Sequence, residues 1–327
     1  MKKPIFQRFS EGKIRECHGD LRTGHIYFTN NGIQIIDCIE FNKRFRYGDI
    51  ASDLAFLAMD LDFYKFSQTA HSLLKAYSRY SDDPAIFILL DFYKCYRAMV
   101  RVKVNCVRLQ QGDLYPEQRT TLLKETQRFL ELAYEYAEQF IRPTLWIICG
   151  MAATGKSTLA RELSRRLDIK LFRSDVIRKK LFSHVTDRKN KTSFKEGIYS
   201  KQATSLTYGK LFMMAQEEVD AGNSVILDAT FGSKNYRREA LRLAENTDVN
   251  IVFVECKSRD AIIRERLEKR DTKTSISDAG PELFEHLKDD YETMDEIPSE
   301  IYLNVDTEQP MRINMKKIFS HLYFPAK

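Results

Sequence analysis

The chain predicts an α/β fold, a parallel sheet with helices on both faces, preceded by a mostly helical lobe. Two observations carry this. From Thr144 onward, short apolar runs at 144–149, 169–173, 224–229, 249–255 and 300–304 alternate with stretches of helical period. That βαβ rhythm needs parallel strands joined by helical crossovers. Before Arg142 the pattern differs: apolar residues recur at three and four spacing over 49–66, 84–109 and 117–140, which predicts long helices. One hairpin precedes them, signalled by alternation in Ile26-Tyr-Phe and Ile33-Gln-Ile-Ile about the turn residues Asn30, Asn31 and Gly32. Arg142-Pro143 breaks the last helix, so the domains read as 1–141 and 142–327. A chain of 327 residues exceeds the roughly 250 that one core organises, which agrees with two domains.

The first strand of the second domain, Leu145-Trp-Ile-Ile-Cys149, runs into Gly150-Met151-Ala152-Ala153-Thr154-Gly155-Lys156-Ser157-Thr158. This fills every fixed position of the phosphate-binding pattern G-x-x-x-x-G-K-[ST], and Thr158–Leu167 continues with helical spacing. Strand, glycine loop and helix form a concave anion site from backbone N–H groups and a helix N-terminus. Lys156 is placed to reach the β and γ phosphates of ATP, and the Ser157 hydroxyl to ligate Mg²⁺.

In parallel α/β sheets ligands gather at the carboxyl ends of the strands, so the residues after each strand carry the next expectations. After the second comes Phe172-Arg-Ser-Asp175-Val-Ile-Arg178. Asp175 could accept the proton of an attacking hydroxyl, with Arg178 one turn away; alternatively Ser174 or Asp175 caps a helix over 176–182 and Arg178 is a surface charge. After the third comes Asp228-Ala-Thr-Phe231, with Asp228 organising the metal opposite Ser157, binding the acceptor, or capping a helix near 233–245. The helix after the fourth carries Arg264, Arg266 and Arg270, followed by the polar segment 271–280, which reads as a loop. Arg266 and Arg270, four apart on one face, are the pair suited to neutralise a transferred phosphoryl group, against the plainer alternative of a solvated charged face.

Together, Gly150–Ser157, Ser174-Asp175-x-x-Arg178, Asp228-Ala-Thr-Phe and Arg266-x-x-x-Arg270 resemble the small P-loop kinases related to polynucleotide 5′-kinase, zeta toxins and gluconate kinase. The likeness is closest to a bacterial branch of predicted two-domain kinases. It implies that Asp175 is the general base, Arg178 an acceptor contact, and Arg266 and Arg270 lid arginines. Ala153 stands where polynucleotide kinase has an extra glycine.

A second signature lies in the first domain. His18-Gly-Asp20-Leu-Arg-Thr-Gly-His25, followed by Asp37 and by Gly48-Asp49-x-x-x-Asp53-Leu-Ala, is similar to the catalytic and metal-binding segments of aminoglycoside phosphotransferase-like kinases. The resemblance implies a base at Asp20, a metal-binding Asp37 and that family's helical lobe through about residue 140. His25 replaces the metal-binding Asn, and imidazole suits a hard cation such as Mg²⁺ poorly. With the signature beginning at His18, the glycine-rich strand pair and strand Lys of that architecture have no place before it. The expectation is a truncated lobe whose nucleotide site is incomplete.

The formal net charge of +6 is dispersed among acidic residues, and no basic stripe with interleaved aromatics marks a nucleic-acid path. The local cluster Lys94–Lys103 sits in a helical pattern packed on one face. The six cysteines show no paired spacing, and no apolar run approaches the roughly 18 residues of a membrane span, which points to a cytoplasmic protein. The function expected is an ATP- and Mg²⁺-dependent phosphotransferase acting on a hydroxyl acceptor, a small molecule in preference to nucleic acid. The alternatives are a nucleotide-gated regulator and a nucleic-acid 5′-kinase.

Overall fold

A computed structural model describes residues 2–183, 200–269 and 284–323. The chain divides into two compact units, meeting in sequence at Ile141 and Arg142. Each is described by itself.

The first unit is mostly helical. Helix α1 (Lys2–Ser10) leads to strand β1 (Ile14–Glu16) and the hairpin β2 (Ile26–Thr29) and β3 (Gly32–Ile35). A single turn, α2 (Lys43–Arg46), and β4 (Tyr47–Asp49) precede helices α3 (Ile50–Phe63), α4 (Ser67–Ser81), α5 (Ile86–Gln110) and α6 (Pro116–Ile141). The hairpin pairs Ile26 with Ile35 and Phe28 with Ile33, while β1 pairs antiparallel with β4. Helices α1 and α4 go beyond the periodicity reading. α4 is strongly amphipathic, but its apolar face is narrow: only Ala70, Leu74 and Ser78 are buried.

The apolar heart of this unit packs Phe56 and Met59 of α3 against Ala98 of α5 and Phe129, Leu132 and Tyr136 of α6. Buried charge shapes the rest. Arg8 is 2% exposed and reaches two acids, Asp49 through Nε and Nη2 at 2.6 and 2.7 Å and Asp83 through Nη1 and Nη2 at 3.0 and 3.1 Å. Asp49 also caps α3 by accepting from Ala51 N. The basic cluster on α5 is absorbed in the same way, with Lys94 paired to Asp62 at 2.7 Å and Arg97 lying 3.6 Å from Asp53.

The second unit holds a five-stranded parallel sheet. Its elements are β5 (Thr144–Cys149), α7 (Lys156–Leu167), β6 (Lys170–Arg173), α8 (Ser174–Leu181), α9 (Lys201–Asp220), β7 (Val225–Asp228), α10 (Lys234–Thr247), β8 (Asn250–Lys257), α11 (Asp260–Glu268), α12 (Phe284–Asp289), β9 (Tyr302–Asp306) and α13 (Met311–Tyr323). The strand order is β6-β7-β5-β8-β9. The chain leaves β5 for the edge, returns beside it, then crosses to the other side. β5 is therefore the strand at which the winding reverses, where ligand crevices form in such sheets.

Every β5 residue after Thr144 is buried, as befits a central strand covered on both faces. Leu145, Ile147 and Cys149 share a core with Leu211 and Ala215 of α9 and Ala240 of α10. Trp146 and Ile148, pointing the other way, are buried too. Among the described residues, no helix is long and apolar enough to cross a membrane.

Removing Arg8 takes the closest cation from two buried carboxylates, leaving Asp83 with Lys13 at 3.6 Å and Asp49 with the Tyr93 hydroxyl at 3.1 Å. Arg8→Ala is predicted to destabilise the first unit by about 3–5 kcal/mol, measured by urea unfolding followed by circular dichroism. A loss under about 1 kcal/mol would show that water replaces the guanidinium at no great cost.

Candidate functional site

The phosphate loop leaves the carboxyl end of β5 and enters α7. At Gly150 φ is +128°, and a Cβ there would stand 2.5 Å from the Cys256 carbonyl oxygen of β8. Only glycine permits that approach. Gly155, at φ +91°, takes the N-cap position of α7, and a Cβ would press on Thr307 at 3.2 Å. Ala153 carries its Cβ at φ +60°, a left-handed conformation that disfavours it by about 1–2 kcal/mol. Glycine would take that conformation freely.

Neighbours hold the loop in this shape. Arg266 of α11 donates to the Ala153 carbonyl at 3.2 Å, and the Thr307 hydroxyl donates to the Thr154 carbonyl at 2.6 Å. Ile263 and Leu267 pack on Met151 and Ala153 from the same side. Inside the loop, the Thr154 hydroxyl and the Lys156 ammonium both donate to the Met151 carbonyl, at 2.8 and 2.6 Å. Thr158 is exposed in the first turn of α7, whose N-terminus adds the positive end of its dipole to the loop.

Register brings the remaining groups to this point. In the parallel ladders Asp228, last in β7, lies opposite Ile148 of β5 on one side and Arg173, last in β6, on the other. Arg173 Nε donates to Asp228 Oδ2 and its Nη2 to Ser157 Oγ, both at 3.1 Å. A hydroxyl and a buried carboxylate thus converge on one cationic group. They are hard oxygen donors that fit a magnesium ion, and they are the two residues that would hold it.

Asp175 lies in the first turn of α8. Burial pushes its carboxyl above the usual carboxylate range and the nearby Asp228 carboxylate adds to this, while Lys156, Arg178 and Arg173 pull it down. These five ionisable groups therefore share one electrostatic neighbourhood.

The capping alternatives do not hold. Helix α8 begins at Ser174, its N-cap position is Arg173, and no side chain caps it. Asp228 is 4% exposed on Arg173, and it is Ser233 that caps α10, accepting from Asn235 N. Nor is Arg178 a surface charge: it is 7% exposed, with Nη1 3.3 Å from Thr204 Oγ1. Arg266 lies against the loop's outer wall. Arg270 and the segment 271–280 lie outside the described residues.

Sequence reasoning passed over Arg173 and Thr307. Both obey the strand-end rule it used: Arg173 closes β6, and Thr307 follows β9 directly. Their partners lie far off in sequence, Asp228 at 55 positions and Thr154 at 153, so no local pattern marks either one.

In the first unit, Asp20, His25 and Asp37 stand together, with ligand atoms within 4.8 Å of one another. Arg22 donates to Asp20 Oδ2 and contacts His25 Nε2, each at 3.0 Å. The other ring nitrogen, Nδ1, lies 2.9 Å from the Asp20 carbonyl oxygen. His25 Nε2 lies 3.3 Å from the exposed Asp37 carboxylate. The loop bearing Asp20 is pinned by buried Asp53, which accepts from His18 N at 2.6 Å and Gly19 N at 3.0 Å.

Residues 145–294 match the AAA domain family. The uncharacterized proteins Rv2004c of Mycobacterium tuberculosis and Mb2027c of Mycobacterium bovis are 34% identical over 263 residues, 80% of this chain and 51% of theirs. The chain thus spans about half the length of these curated relatives. Solved structures similar to it include a sugar kinase from Janibacter sp. (16% identity, TM-score 0.42, 56% of this chain and 95% of that one). A second is the Mycobacterium tuberculosis APS kinase CysC in complex with AMPPNP and APS (17%, 0.41, 56% and 98%). A third is a gluconokinase from Sinorhizobium meliloti (12%, 0.41, 56% and 93%). With its parallel sheet, central loop strand and phosphate loop, the second unit has a P-loop NTPase fold.

Two outcomes follow from this geometry. Gly150→Ala forces the loop away from Cys256 and is predicted to cost about 2 kcal/mol or more, read by thermal melting. Because its carboxyl is raised in the fold, Asp175 opposes folding increasingly as the pH rises from the ordinary carboxylate value through the raised one. Asp175→Asn should therefore melt higher than the natural chain at pH 7.5, with the gap closing as the pH falls toward the ordinary carboxylate value of about 4. A gap that instead widened in acid would reverse the sign of the interaction.

Proposed function

We propose that the second unit is an ATP- and Mg²⁺-dependent phosphotransferase that moves the γ-phosphate of ATP to an acceptor hydroxyl, on a small molecule in preference to nucleic acid. One observation supports this above the rest. A phosphate loop, a hydroxyl–carboxylate pair suited to a divalent ion and a second carboxylate of raised pKa meet at the carboxyl ends of three neighbouring strands. A simple nucleotide-binding switch needs the first two of these; the third is what an attacking hydroxyl needs.

In this reading the loop from Gly150 to Thr158 binds the triphosphate and Lys156 turns from the Met151 carbonyl to the β and γ phosphates. Magnesium held by Ser157 and Asp228 would supply charge neutralisation on the phosphate oxygens. Asp175 orients the acceptor hydroxyl and takes its proton as the oxygen attacks the γ-phosphorus; the new O–P bond forms as the bond to the β-phosphate oxygen breaks and ADP leaves. A raised pKa makes Asp175 a stronger base once ionised. Arg178 contacts the acceptor, and Arg266 with Arg270 neutralises the transferred group.

The first unit is, in the same proposal, an aminoglycoside phosphotransferase-like helical lobe without transfer activity of its own. Arg22 engages the Asp20 carboxylate that would have to act as base. The small-molecule preference draws on the α5 cations, since Lys94 and Arg97 are committed to internal acids and offer no track for a polyanion.

The test is a screen of hydroxyl acceptors with γ-labelled ATP. Lys156→Ala is predicted to lose nucleotide binding, and Asp175→Asn to keep ATP binding within about threefold while losing transfer by roughly 10²-fold or more. Full transfer by Asp175→Asn would remove it as the base. Tight ATP binding with no transfer to any acceptor would favour the nucleotide-gated regulator.

A further inference from the structure

Arg173 has no place in the mechanism above, yet it occupies the centre of the site. Its guanidinium spans the two oxygens that fit the metal, Asp228 Oδ2 from Nε and Ser157 Oγ from Nη2. The arrangement is fixed by the fold. Arg173 and Asp228 face each other across the β6–β7 ladder, and side chains opposite one another in a parallel ladder project to the same face. The Arg173 side chain is 16% exposed and that of Asp228 4%, so water screens the pair weakly.

A guanidinium does not lose its proton in a protein, so it can leave these oxygens only by moving. An ion at about 2.1 Å from both would stand in the wedge that the guanidinium fills, and two cations so close repel strongly in a shielded site. We propose that Arg173 and the divalent ion exclude one another: the guanidinium holds Ser157 and Asp228 in the nucleotide-free chain and must swing off both oxygens before the ion takes them. The inference rests on the phosphotransferase reading in taking Ser157 and Asp228 as the metal's ligands. Its consequence is a positioning residue that disfavours metal alone. The ion gains its place when it arrives with a triphosphate, whose oxygens give the displaced guanidinium a new anionic partner.

The test is Mn²⁺ binding to the full nucleotide-free chain, followed by electron paramagnetic resonance of the free ion. Arg173→Met is expected to bind Mn²⁺ about tenfold more tightly than the natural chain, since a hydrogen-bonded charge no longer competes. Arg173→Lys, which keeps the charge but cannot span both oxygens, should gain less in the same direction and serves if the Met variant does not fold. A residue that merely braced the site would give the opposite result, so unchanged or weaker Mn²⁺ binding in the folded variants overturns the proposal. Titrating the natural chain with ATP and Mg²⁺ separates the two readings. If it binds and the variants show no gain, only the role of Arg173 falls; if it does not bind, the phosphotransferase reading falls with it.

Discussion

The buried carboxylate of Asp228 is the constraint around which the second unit is arranged. It ends a strand buried along its whole length, Val225, Ile226 and Leu227 before it, and a charge left alone there would cost several kcal/mol. The fold meets that demand by ending β6 opposite it with an arginine and by placing Ser157 within reach of the same guanidinium. The loop is equally settled, with Gly150 against the Cys256 carbonyl and Ala153 held in a strained conformation by Arg266, Thr307 and the packing of α11.

The first unit works by a similar logic with a different end. Asp49, Asp53 and Asp60 are all buried, and each anchors a segment outside the apolar core: α1 through Arg8, the His18–Gly19 turn, and the backbone N–H of Thr23 at 2.9 Å. Spaced four and seven apart along α3 and its N-cap, these acids tie α1 and the segment that carries Asp20 to the helices. The segment that carries Asp20 is thus tied to α3, while Arg22 lies across its acid. A tied segment with an occupied carboxylate fits the proposal that transfer belongs to the second unit.

Much of this was legible in the chain because it is local. Strand runs, the glycine loop and the long helices are patterns within a dozen residues, and the strands form close to where apolar runs placed them. The hairpin about Asn30–Gly32 was likewise written in its turn residues. What escaped was pairing across distance. Arg8 meets Asp49 and Asp83, which lie 41 and 75 positions away, and Arg173 meets Asp228 at 55. No periodicity announces such partners. The capping expectation at Asp175 failed for a related reason: one residue of helix start decides whether a side chain caps or faces the cleft, and the sheet register sets that start.

The proposed function has the chain bind a single nucleotide, at the second unit. The most direct measurement is the stoichiometry of ATP binding to the full chain by titration calorimetry in Mg²⁺. The account predicts one ATP per chain, with Lys156 required for it. Two per chain would show that the lobe bearing Asp20, His25 and Asp37 holds a nucleotide as well, and none, or one that survives the loss of Lys156, would contradict the assignment of the loop as the binding site.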